Sequence, residues 1–263
     1  MAVNSSSYFN NAIVGQTQVG AGVNLYASST SPAFALGTKF ERSDGNVYRY
    51  GHFGLTTPAG SMVATDISET CIADTDNAII APASAVAVQG ETMQPGDIGS
   101  HYVQMTVAAI TADQLAGGYL HTTDDTGEGY CYRIKGNTAT DVVATGDIRI
   151  QLWDRIQVAL DATTDAIVTG SRWSNLEPAT TTDVFAAGVA MTAQATADYG
   201  WIQTAGIATV LTAGVVVLGS GCILTATAGA VGPAVETDIL ERVGVCYIVG
   251  DDTGYSSIKL TLD

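Results

Sequence analysis

The sequence predicts an all-β protein, a sandwich- or barrel-like body of many short antiparallel strands preceded by an extended N-terminal arm. Three observations carry that prediction. Tyr199–Val235 contains no charged residue, and its Val-, Ile- and Thr-rich runs are broken by Gly at 206, 214, 219, 221, 229 and 232. Branched side chains suit a pleated sheet and glycine supplies turn geometry, so the stretch reads as consecutive short strands and as the core of the body. Between Asp147 and Leu160 the apolar residues at 148, 150, 152, 156, 158 and 160 share one parity. A strand puts such residues on one face, whereas a helix spreads them around its circumference. Finally, Ser43-Asp44-Gly45-Asn46 and two copies of Asp-Asp-Thr-Gly, at 124–127 and 251–254, each lie between candidate strands, which is a hairpin signal.

In chain order, residues 1–36 are small and polar, with hydrophobic residues appearing singly. They read either as a loose terminus or as an arm that orders by laying Tyr8, Phe9, Val14 and Tyr26 on a neighbouring subunit. Residues 37–263 read as the β-rich body, one domain or two with a boundary near 165–198. The Ser-Asp-Gly-Asn turn joins its first two strands, and Ser61–Ile67 is a further short one. Asp74–Val88 holds two apolar runs split by Pro82, and 90–98 is a loop centred on Pro95-Gly96. His101–Ala109 is a strand, followed by a single helical turn capped by Thr111 and ended by Gly117. The segments 119–122 and 130–134 form the clearest hairpin. Asp147–Leu160 is one long strand or a bent pair, with Trp153 on the opposite face. A short strand then precedes an exposed Arg172-Trp173. Ala-rich Asp183–Thr196 is open between helix and strand. Segments 243–249 and 256–262 form a terminal hairpin.

The chain of 263 residues is 46% hydrophobic and 14% charged, which is no disordered composition. Its net charge of −16 argues against direct nucleic-acid binding, since affinity for phosphates comes from clustered Lys and Arg. Acid keeps such a protein soluble and suits a surface facing water. The uncharged stretch exceeds the roughly 20 residues a bilayer needs. Its frequent Gly, Thr and Ser and its acidic flanks, Asp198 and Glu236, nevertheless argue against a membrane span. The N-terminus lacks the basic and apolar regions of a secretory signal. Cys71, Cys131, Cys222 and Cys246 are far apart and read as buried thiols or as disulfide partners; with His52, His101 and His121 they show no zinc spacing.

The Asp-Asp-Thr-Gly loops could be calcium loops, but neither copy is followed by further acidic ligands, and the turn reading is favoured. Asp74-Thr75-Asp76-Asn77 starts like a calcium loop without its glycine or distal glutamate. Gly219-Ser220-Gly221 lacks the rest of a dinucleotide fingerprint. No nucleophile elbow, zincin or phosphate-loop motif occurs, so no catalytic, metal or cofactor residue is assigned and no enzyme is expected. Tyr199, Trp201, Trp153 and Trp173 could form a carbohydrate or partner platform, and otherwise serve as core or interface anchors.

The string Tyr199-Gly-Trp-Ile-Gln-Thr-Ala-Gly-Ile-Ala-Thr-Val-Leu, the Ala230–Pro233 turn and the closing Arg242–Val249 strand resemble the C-terminal part of virion structural proteins of tailed bacteriophages. The Arg149–Asp154 segment and Tyr48–Gly51 are similar to that group's middle and early parts. Ile207 stands where the group usually has Pro. The resemblance implies a head decoration, or cement, protein that sits on the outside of the virion, binds the major capsid protein, self-associates as a homotrimer and clamps neighbouring shell subunits. It brings no catalytic residues. Another virion part (tail, fibre or shell) is the alternative, and a carbohydrate-binding β domain is a more distant one.

Overall fold

In a computed structural model the described residues are 23–65, 71–75, 79–82, 84–140, 145–181, 185–235, 242–250 and 254–263. Among them there is no helix, and every ladder between strands is antiparallel, in two curled sheets. No helix of the described residues is long and apolar enough to cross a membrane. The chain divides into two units, Met1–Asp66 with Arg172–Asp263, and Ile67–Ser171. Strands are numbered in chain order.

The first unit contains β1 (Lys39–Glu41), β2 (Val47–His52), β3 (Met62–Thr65), β10 (Leu176–Pro178), β11 (Ala186–Ala190), β12 (Tyr199–Leu211), β13 (Gly221–Leu224), β14 (Val231–Pro233), β15 (Arg242–Ile248) and β16 (Tyr255–Thr261). The sheet runs β10-β3-β11-β12-β16-β15-β13-β14, with β2 also on β12 and β1 on β2. The Ser43–Asn46 turn closes β1 on β2 with Phe40 opposite Tyr48, as the turn residues predict. β15 and β16 form the expected terminal hairpin, Cys246 opposite Ile258.

The centre of this sheet corrects one expectation. Gly206 is no turn between short strands, because β12 runs unbroken for 13 residues. Its first half pairs with β2, Tyr199 opposite His52, and its second with β16, Leu211 opposite Tyr255. The register shifts between Gln203 and Ala205, and Gly206 sits beside that irregularity at φ +87°. A Cβ there would lie 2.0 Å from Asn46 Oδ1, which accepts hydrogen bonds from the Ile207 N–H and from Gln203 Nε2. The glycine therefore bends a continuous strand instead of ending it. The Ala-rich segment left open becomes β11, buried at all five positions against β3 and β12. Small residues are required there, since a Cβ on Gly188 would come within 2.8 Å of the Gln203 carbonyl.

Where β2 gives way to β16 along β12, Arg49 donates to both carboxylate oxygens of Asp263, at 2.7 and 2.9 Å. Hydrogen bonds from Arg49 hold the Asp263 carboxyl below its ordinary value of 3.8. Because the folded value is the lower one, this stabilisation is complete above pH 3.8 and is lost as pH falls through the lowered value. Asp263→Asn is expected to cost about 1–2 kcal/mol at neutral pH, after allowance for partial exposure. The cost should shrink at about pH 2–3. Urea unfolding at both pH values checks this, and an equal cost at both would refute the role given to the carboxylate.

The second unit contains β4 (Cys71–Thr75), β5 (Tyr102–Ala108), β6 (Tyr119–Asp124), β7 (Cys131–Asn137), β8 (Thr145–Leu152) and β9 (Asp165–Thr169), in the order β4-β9-β6-β7-β8-β5. Its core gathers Met105, Leu120, Ile134, Ile148, Ile150 and Leu152 among others. The one-parity pattern of 147–160 correctly places Ile156 and Leu160 inside, but the strand stops at Leu152. Beyond it the chain bends at 153–154 and 157–158, and the Ile156 and Leu160 N–H groups donate to the carbonyls of Ser100 and Gly96, which ties the segment to a loop. The expected helical turn at 111–117 is a run of turns instead. Asp113 is left-handed at φ 59°, which a helix cannot accommodate, and the Asn137 side chain bonds the Leu115 N–H and the Thr111 carbonyl. Of the two apolar runs around Pro82, the described part contributes one isolated bridge, Ile79 with Met105.

Candidate docking surface

Of the arm residues singled out, Tyr8, Phe9 and Val14 lie outside the described residues. Tyr26 is described and 64% exposed. The chain around it is tied to its own unit. Leu25 is buried with Phe40, Tyr48, Tyr50 and Trp201, and Val23, Phe34 and Leu36 pack on that cluster. Ser29 exchanges two backbone hydrogen bonds with Tyr199, at 3.0 and 2.7 Å, and the Ser28 hydroxyl donates to Asp198. Residues 23–36 are therefore packed chain, with Tyr26 left pointing outward.

Tyr26 stands at the edge of a cleft of about 490 Å³ whose wall includes Arg42, Tyr48, Met191, Gln203 and Tyr255. Arg42 donates to the Tyr48 hydroxyl and pairs with Asp44 at 3.5 Å. Burial pushes the Tyr48 phenol above its ordinary value, partly offset by Arg42. Gln203 Nε2 is committed to the carbonyls of Ala205 and Ile207 and to Asn46. The polar groups thus hold the wall in shape, and Tyr26, Ile207 and Tyr255 give it an exposed apolar side.

The cleft adjoins the outer face of β12, β16 and β15. Along one row Ile207 stands opposite Lys259, which stands opposite Val245. Ile207, Val245, Tyr247, Ile248 and Tyr255 are 40–59% exposed. The run entering β13 lies alongside, because the Gly219 and Ser220 backbones bond the Cys246 backbone. It adds Val217 and Leu218, at 55% and 67% exposure. Of these, Ile207, Val217 and Leu218 fall in the uncharged stretch expected to be core. The legible signal was that Val243–Val249 is apolar at both parities, which a strand with one wet face does not need.

The four aromatic candidates separate. Trp201 is 2% exposed, and Tyr199 packs on the same cluster, stacked on Tyr50. Trp173 is not the exposed residue expected: it is half-buried against the Phe53–Leu176 cluster, with the Arg172 and Arg49 guanidinium groups over its ring at 4.7 and 5.4 Å. Trp153, expected on the face opposite the apolar row, is 56% exposed, in the other unit, with Lys135 Nζ 5.2 Å from its ring centre. Trp201 and Trp173 therefore cannot present an open stacking platform together.

The described Asp-Asp-Thr-Gly copy is a turn. Asp125 is left-handed at φ 57°, and the Thr122 hydroxyl donates to the Gly127 carbonyl. Asp124 stands opposite Asp165, but among the described residues no group of three His, Cys, Asp or Glu could hold a metal. The second copy and Asp76-Asn77 fall largely outside the described residues. Cys222 and Cys246 are buried free thiols, Cys222 pushed up to about 11 by burial. Cys131 departs from expectation in being exposed on β7, on the outward parity of the strand.

No family model, curated protein or solved structure matches the chain.

Proposed function

We propose that the protein is a virion structural component of the head-decoration type, binding the outer surface of a tailed-phage capsid and bracing contacts between major capsid subunits. The observation that carries this reading is where the resembling sequence falls. Tyr199–Val249 supplies the central strand β12 and the exposed apolar face of β15, the parts an assembling protein would use. The net charge of −16 suits an outward coat and disfavours contact with packaged DNA. The function is mechanical and needs no catalytic group. Buried area across seams between shell subunits resists their separation, and a specific interface needs roughly 1,200–2,000 Å² of it. The arm contact belongs to Tyr8, Phe9 and Val14, with Tyr26 at its root beside the cleft.

The test is the copy number of this protein relative to the most abundant shell protein in purified particles. Near-equal numbers, with particles weakened when it is stripped, are expected. A handful of copies would move it to the tail or fibres, and absence would overturn the virion reading.

A further inference from the structure

We propose that the outer face of β12–β16–β15, with the run Val217–Leu218 beside it, is where one copy of this chain docks on a second copy. The inference deepens the decoration reading by naming the surface used for self-association.

The argument begins with charge. Not one of the 26 acidic residues falls in 199–235, 242–249 or 254–262, the segments that build this face. Two copies each carrying −16 repel wherever carboxylates would meet carboxylates. An acid-free face is where they can approach without that cost. The only charges on its three strands are Lys259 and Arg242. Lys259 stands between Ile207 and Val245, where its aliphatic stem can cover apolar surface while the ammonium reaches the edge.

Composition points the same way. Val245, Tyr247, Ile248, Val217 and Leu218 are each at least 40% exposed. Monomeric proteins seldom leave contiguous apolar patches larger than a few hundred Å² open to water. A nucleic acid would need far more than two cations here. A second copy satisfies both the apolar and the charge requirement.

The experiment is sedimentation of the full chain at micromolar concentration in the absence of shells, comparing the native sequence with Val245→Glu and Tyr247→Glu. The native chain is expected to associate, and each variant to weaken association by about tenfold or more, as for a residue near the centre of an interface. The milder Val245→Thr serves if a glutamate variant fails to fold, as judged by circular dichroism, and should weaken association in the same direction. A monomeric native chain, or folded variants that associate as tightly as it does, would overturn the proposal. A native monomer that still coats shells would sink this inference and leave the decoration reading standing. An oligomer that ignores shells would do the reverse.

Discussion

Trp201→Ala is expected to be the most damaging single substitution, lowering stability by about 3–5 kcal/mol. Trp201 is 2% exposed at the middle of the first half of β12. Its ring centre lies 5.2 Å from Tyr50, 5.3 Å from Phe34 and 5.9 Å from Phe40, so one truncation empties the centre of an aromatic cluster. Those partners come from β1, β2 and the segment before them, and their rings converge on this side chain. Surrounding rings cannot collapse into so large a void, and the cavity adds to the lost transfer energy. Against a domain stability of about 5–15 kcal/mol the loss brings unfolding within reach of mild denaturant. Trp153→Ala is the control, since Trp153 is 56% exposed. Its loss should cost no more than about 1 kcal/mol, covering the stacked Lys135. Urea midpoints for the two variants decide the matter, and similar shifts would mean that the cluster does not organise the first unit.

Two truncations should separate the arm from the body. Removing residues 1–22, which include Tyr8, Phe9 and Val14, is expected to abolish binding to shells while leaving the β body folded. Removing residues 1–35 also takes Leu25 and Phe34 from the Trp201 cluster and the Ser29 bridge from Tyr199. That truncation should cost at least about 4 kcal/mol, from two lost apolar side chains and two backbone hydrogen bonds. The sequence treats residues 1–36 as one arm, because isolated hydrophobic residues without a period look the same whether they meet a partner or their own sheet. Binding by the 23–263 protein at native affinity would end the arm proposal. A midpoint unchanged in the 36–263 protein would contradict the packing of residues 23–36.

What the sequence determined by itself is what depends on neighbours in the chain. The all-β class, the hairpins at 39–52 and 119–137, the terminal hairpin and the inward parity of Ile148 to Leu160 follow from alternation and turn residues. Those act over a few positions and are complete in the local string. Only the tertiary structure decided the rest. That β2 pairs with β12 some 150 residues later, while the second unit intervenes between β3 and β10, has no local signature, because partner choice depends on which faces and edges remain open. Gly206 shows the same limit at one residue. Its chemistry permits a turn or a bend within a strand, and the contact of Asn46 with Ile207, brought together by the fold, goes with the bend. For the candidate surface, the sequence showed an acid-free apolar stretch but not which side of it was wet. Val243 and Val245 are the same residue type two positions apart, and the first is buried while the second is 40% exposed. The local twist and the shift of register along β15 set that difference, and both belong to the assembled sheet.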